Sequence, residues 1–195
     1  MTDRRLEPTP EQLARVADGL RAGGLAGMPT ETVYGLAADA TDPDAVARVY
    51  AAKGRPSDNP LIVHVADPDR ARTLVSDWSE ACERLVRRFW PGPLTLVLPH
   101  GGRVGPGVTA GHATVALRSP AHETAQGLLL AVDRPLVAPS ANRSGEVSPT
   151  TAEHVLEAFP DEDFPVLDGG PCRHGIESTV LALADEVPVV LRPGR

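Results

Sequence analysis

Several things are scarce in this chain, and each scarcity excludes something. There are only two cysteines, Cys82 and Cys172, too few for a disulfide framework or a four-ligand zinc site, so a reducing, cytoplasmic setting is expected. No apolar run nears the ~18 residues of a membrane span, and the opening MTDRRLEPTPEQ lacks the apolar core of a signal peptide. No membrane role is expected. Aromatics are few, with three Phe, two Trp and two Tyr, which leaves little surface for stacking bases. Lysine is almost missing: Lys53 stands alone against 18 arginines. Either coding bias left one survivor, or a site there needs a compact ammonium that a planar guanidinium cannot replace. The net charge of −7 argues against a protein that wraps nucleic acid, while a local basic pocket stays open.

What is present is an ordinary globular composition, 42% hydrophobic and 23% charged, over 195 residues. That length predicts a single domain, residues 1–195, large enough to bury its own core. The 18 glycines and 20 prolines are spread without period between apolar runs, which predicts many short elements joined by turns.

Thr9-Pro10 with Gln12 predicts a capped helix that runs through Leu13, Val16, Ala17 and Leu20 to Gly23-Gly24. Asp42-Pro43 opens a second helix ending at Lys53-Gly54, where Lys53 reads as solvent-facing. Asp77 with Glu80 starts a third, stopped by Pro91-Gly92-Pro93. Residues 122–132 form a fourth, and Thr150 with Glu153 starts a fifth that reaches Phe159. Strands are predicted at Leu25–Met28, Leu61–Val65, Leu94–Leu98, Thr114–Arg118, Pro135–Ala138, Ser178–Leu183 and Pro188–Leu191. Interleaving of this kind predicts an α/β fold on a mixed sheet.

The sequence rules out several chemistries. Ala52 precedes the only lysine, so there is no P-loop; nor is there a dinucleotide G-x-G-x-x-G, a G-x-S-x-G elbow or an H-E-x-x-H. Cys172 and His174 lack a third orienting group and read as part of a Gly-rich turn. Four polar segments at element ends remain. Pro29–Gly35 offers three hydroxyls and the Glu31 carboxylate, enough for a small polar ligand or simply a hydroxyl-rich turn. Lys53–Pro60 holds two cations on a proline-stiffened turn, suited to a polyphosphate or to the helix dipole. Ala138–Gly145 and Asp168–Thr179 are, taken singly, generic turns. His64 lies inside a strand, where a core histidine is commoner than a ligand. Arg118 ends a strand, and its fork asks for a carboxylate, from ligand or protein.

Taken together, the ordered stretches PTETVYGL at 29–36, AKGRPSDNPLIVHV at 52–65, FWPGPLTLVLP at 89–99, VALRSP at 115–120, APSANRSGEVSPT at 138–150, GIESTV at 175–180 and LRPG at 191–194 resemble the YrdC-like family of threonylcarbamoyl-AMP synthases. The resemblance covers nearly the whole chain. It implies a twisted mixed sheet with flanking helices and a concave, locally basic cavity. It also implies a nucleotidyltransferase that makes threonylcarbamoyl-adenylate and pyrophosphate from L-threonine, bicarbonate and ATP, with magnesium accompanying ATP and no organic cofactor. The product would pass to tRNA threonylcarbamoyl-transferase proteins acting beside the anticodon, and the resemblance allows weak tRNA binding. The family's Lys-x-Arg and Ser-x-Asn fall on Lys53, Arg55, Ser140 and Asn142, the implied catalytic set. Thr32, His64, Arg118, Ala138 and Ser178 fall where the family binds threonine. Arg55, Asn59, Thr114, Ser140, Ser148 and Arg192 fall where it binds ATP. Two other readings stay in view: a non-catalytic module of the same fold that binds double-stranded RNA or tRNA, and an enzyme making a carbamoyl-adenylate from another donor.

Overall fold

The computed structural model describes residues 4–184 and 187–195; the first three residues of the expected domain, and 185–186, lie outside the described residues. Along the chain run β1 (Arg5–Leu6), α1 (Pro10–Arg21), β2 (Ala26–Met28), β3 (Gly35–Asp39), α2 (Pro43–Lys53), β4 (Ile62–His64), α3 (Pro68–Arg72), α4 (Glu80–Phe89) and β5 (Leu94–Pro99). There follow α5 (Pro106–Thr109), β6 (Thr114–Arg118), α6 (Glu123–Val132), β7 (Leu136–Val137), α7 (Ala152–Ala158), β8 (Val166–Leu167), β9 (Thr179–Ala182) and β10 (Val189–Arg192). The strands form one ten-stranded sheet in the order β1-β8-β2-β3-β7-β4-β6-β5-β9-β10. It is mixed, as expected: β4–β6 and β5–β9 are parallel, β5–β6 and β3–β7 antiparallel.

Helix starts follow the capping chemistry, with small corrections. Thr9 accepts from the Gln12 N–H, but the Gln12 side chain does not return the bond: its Oε1 is buried without a partner. The helix read from Asp77 is capped instead by Ser79, which accepts from the Cys82 N–H, and the one read from Thr150 by Thr151. In each case a neighbouring cap-competent residue wins. Asp42 caps α2 as predicted, and Gly54 closes it in the left-handed region at φ 58°. Strands β1, β3 and β8 and helices α3 and α5 were not predicted. β3 is built from Gly, Leu, Ala, Ala and Asp, fully buried, so neither β-branching nor alternation marks it.

Sheet alternation sorts the core. Leu36, Ala38, Val63, Leu96, Leu117, Val137 and Val166 face one side, where α2, α4, α5 and α7 pack. Ala37, Leu136 and Leu167 face the other, under α1 and α6. Register extends that second face across the sheet. His64 pairs with Leu136 in β7 and with Arg118 in β6, so all three side chains share one side. Helices α1 and α6 cover this face over β8, β2, β3 and β7 and leave it open from β4 onward, and that uncovered part is where a site can form. Among the described residues, no helix is long and apolar enough to cross a membrane.

Leu117, fully buried between β4 and β5, anchors the strand that carries Arg118. Leu117→Ala is expected to lower unfolding stability by about 2–5 kcal/mol in urea titration, and an unchanged midpoint would contradict this packing.

Candidate active site

The open face forms a cavity of about 450 Å³. Its floor follows from strand periodicity: Ile62 and His64 on β4, Thr114, Ala116 and Arg118 on β6, Val97 on β5, and Ser178 and Val180 leading into β9 all point the same way. Its walls are the Thr30–Gly35 turn after β2, Arg55, Asn59 and Pro60 after α2, Ala138–Ser140 after β7, Glu177, and Leu191 and Arg192 of β10. Ten residues expected at a site therefore meet in one cavity: Thr32, Arg55, Asn59, His64, Thr114, Arg118, Ala138, Ser140, Ser178 and Arg192.

The cavity has two polar ends. Thr114 and Arg118 stand at opposite ends of β6, four residues or about 13 Å apart at ~3.3 Å per residue. Between them Ile62, Ala116 and Val180 make an apolar middle. At one end the Arg118 guanidinium, buried, donates to Glu31 Oε1 at 2.6 Å, to Thr32 Oγ1 at 2.9 Å and to the Gly92 carbonyl at 3.3 Å. Its natural carboxylate partner thus comes from the protein, and two of its five N–H groups stay uncommitted among the described residues. Ser178 Oγ sits 2.7 Å from Thr95 Oγ1 and accepts from Arg192 Nη2 at 3.2 Å. His64 is buried, and its Nδ1 has no hydrogen-bond partner among the described residues. Burial first, and the Arg118 charge second, push its pKa down to about 3, so it is a neutral imidazole. At the other end Arg55 is fixed by its own turn, donating to the carbonyls of Asn59 at 3.2 Å and Pro60 at 3.1 Å. Burial lowers the pKa of Arg55, Arg118 and Arg192 alike. Glu31 offsets Arg118 from behind and Glu177 is the carboxylate on the lining, so against three arginines the cavity stays net basic within an acidic protein.

Three expected residues do not line the cavity. Ser148 lies behind Glu177 and donates to its Oε1 at 2.5 Å. Asn142 turns inward, giving its amide to the carbonyls of Arg143 and Glu146. Lys53 is not the solvent-facing residue the sequence suggested: it is 2% exposed. The left-handed turn at Gly54 carries the chain away while the lysine side chain crosses to the Ser140–Asn142 turn. There its ammonium donates to the carbonyls of Ser140 and Asn142, each at 2.5 Å, and the Lys53 carbonyl accepts from the Ser144 N–H. Burial first, and Arg55 second, push its pKa down to about 8. The Lys-x-Arg and Ser-x-Asn pairs are therefore in contact, with lysine inside and arginine on the cavity.

The structure adds Glu177 and His112 to the cavity lining, and it gives Glu31 and Thr30, read from the sequence only as part of a hydroxyl-rich turn, defined places: Thr30 on the wall and Glu31 against Arg118. The signal for Glu31 was its place between two threonines in the Pro29–Gly35 turn. Both thiols are held protonated by burial, Cys82 with its pKa at about 12 and Cys172 at about 11, consistent with a site that uses no sulfur nucleophile.

A basic, two-ended cavity on the open face of a mixed α/β sheet is the kind of site that suits a small anionic ligand with a second polar group. The Sua5/YciO/YrdC family model, described as telomere recombination, matches residues 18–194, and the chain belongs to that family. It is 52% identical over 181 residues to the threonylcarbamoyl-AMP synthase of Pyrococcus abyssi, covering 92% of this chain and 53% of that one. It is 50% identical over 184 residues to the threonylcarbamoyl-AMP synthase of Bacillus subtilis, covering 94% and 53%. The chain thus spans about half the length of these relatives. The crystal structure of P. abyssi Sua5 complexed with L-threonine has a TM-score of 0.94 to this fold at 49% identity, over 97% of this chain and 56% of that one.

Lys53→Met removes the donor from two buried carbonyls. It is expected to cost about 1–3 kcal/mol of stability in urea unfolding, and a wild-type midpoint would show that the ammonium does not hold the turn.

Proposed function

We propose that this chain is a threonylcarbamoyl-AMP synthase, making threonylcarbamoyl-adenylate and pyrophosphate from L-threonine, bicarbonate and ATP. The observation that carries the reading is the two-ended cavity, with an amino-acid-sized end around Arg118 and a phosphate-suited end around Arg55. The threonine-bound state of the P. abyssi protein supports the first half of it.

In this reading the threonine carboxylate takes the two uncommitted N–H groups of Arg118, a charge-assisted fork. The hydroxyls of Thr32 and Ser178, the neutral ring of His64 and the small Ala138 surround its amine and side chain. The amine and bicarbonate give a carbamate with loss of water. A carbamate oxygen then attacks the α-phosphorus of ATP, a P–O bond forms, and the bond to pyrophosphate breaks. Such a displacement needs alignment and charge neutralisation rather than a covalent intermediate. Arg55 and Arg192 offset phosphate charge, and Asn59, Thr114 and Ser140 hold the nucleotide. Ser148 acts through Glu177. Lys53 and Asn142 act by holding Ser140 in place. Among the described residues no cluster of three His, Cys, Asp or Glu side chains stands ready to bind a metal. Glu177, the carboxylate on the lining, is the residue that would help hold a magnesium ion arriving with ATP, and the ion would supply further charge neutralisation.

The product is a mixed anhydride, so the reaction that consumes it is transfer of the threonylcarbamoyl group, here to a tRNA adenosine by partner proteins in the cytoplasm. Thr32, His64, Arg118 and Ser178 are all buried, which suits a small molecule better than an RNA backbone.

Pyrophosphate release is expected to fall to background when either threonine or bicarbonate is omitted. Release indifferent to threonine would refute this function.

A further inference from the structure

The geometry points to Glu31 as a positioning residue: it fixes the Arg118 guanidinium so that its free N–H groups meet the amino-acid carboxylate in one orientation. This rests on the reading of Arg118 given above.

Glu31 is 4% exposed, as is Arg118, and the two are joined at 2.6 Å. Glu31 is absent from the cavity lining, whereas its neighbours Thr30 and Thr32 are part of it. It therefore reaches Arg118 from behind the wall, while the substrate would meet the same guanidinium from the front. Its other oxygen, Oε2, is buried with no hydrogen-bond partner, so Arg118 is its one side-chain contact among the described hydrogen bonds. Its side-chain hydrogen bonding among the described residues thus goes to the arginine of the cavity and not to the surrounding scaffold.

The backbone that carries the carboxylate is itself fastened. The Glu31 carbonyl accepts from the His174 N–H at 2.9 Å, and the Thr32 carbonyl from the Gly175 N–H at 3.0 Å, which fastens the turn to the segment before β9. Thr30 Oγ1 donates to the Val33 carbonyl at 2.6 Å and accepts from the N–H groups of Thr32 and Val33. The guanidinium is thus pinned at Nε by Gly92, at Nη1 by Thr32 and at Nη2 by Glu31. All three bonds come from a charged donor, but only the Glu31 acceptor carries a charge of its own, so that bond alone adds an ion-pair attraction, strengthened by burial. Without it the fork keeps two neutral acceptors and can rotate toward any anion that enters.

Charge and orientation make opposite predictions, which makes the role testable. Glu31 repels an incoming carboxylate, so on charge alone its removal would lower the threonine KM. On orientation its removal raises that KM. The variant Glu31→Gln keeps the shape and loses the charge. It is expected to raise the threonine KM at least about tenfold while the ATP KM moves less than about twofold, because Arg55 and its turn are untouched. In a cycle with Arg118→Gln, adding Glu31→Gln to the arginine variant is expected to change the threonine KM no further. The double variant should also be the more stable one, because no buried charge is left unpaired. Should Glu31→Gln not fold, Glu31→Asp carries the test. It keeps the charge but draws it back by one methylene, and a threonine KM raised at least about threefold with an unchanged ATP KM is expected. A threonine KM that falls or stays put in a folded variant overturns the proposal, as does an equal rise for both substrates. Wild-type protein assayed alongside separates the two levels: turnover that ignores threonine sinks the proposed function, whereas threonine-dependent turnover with a normal Glu31→Gln KM sinks only the positioning role.

Discussion

A guanidinium taken out of water needs partners for its charge and its N–H groups, and burying Arg118 organises the segments around it. Its three bonds draw in the turn after β2, through Glu31 and Thr32, and the turn before β5, through Gly92. The first turn is in turn laced to the segment before β9. Three pieces of chain distant in sequence thus converge on one side chain at the end of β6. The same demand leaves a fork with unused donors facing an enclosed space, which is what a small carboxylate requires.

The sheet supplies that space by an economy of faces. One side of it is packed along its length, by α2, α4, α5 and α7. The other is packed over β8, β2, β3 and β7, by α1 and α6. Where those two helices end, the side chains at alternate positions of β4 and β6 change from core to site: Leu136 is core, while His64 and Arg118, in line with it across the sheet, line the cavity. Stability and function are therefore built on the same strands and separated only by parity. A shift of one residue in β6 would bury Thr114, Ala116 and Arg118 in the core and turn Leu117 into the cavity.

Much of this was legible in the sequence where local chemistry decides. Asp42-Pro43 fixed the start of α2, Gly54 its end, and the β-branched run around Val63 marked β4. Local signals failed where two residues compete for one task, as Ser79 did with Asp77 and Thr151 with Thr150. They failed again where a strand exists only because of its neighbours, as β3 does. The site was readable as an ordered set of short motifs, and ten of those residues do line one cavity. Lys53 was misread because a lysine at a helix end is ordinarily solvated, and nothing local reveals carbonyls that lie 87 and 89 residues further on. Glu31 was hidden for the same reason, its partner lying 87 residues away.

The central claim is that the Arg118 end of the cavity reads an amino-acid carboxylate. Calorimetric titration of L-threonine against L-threoninamide tests it directly, since the two differ only in the group the guanidinium would grip. The account predicts that threonine binds and that the amide binds at least about tenfold more weakly, a difference of roughly 1.4 kcal/mol. Equal affinity for the two would contradict it.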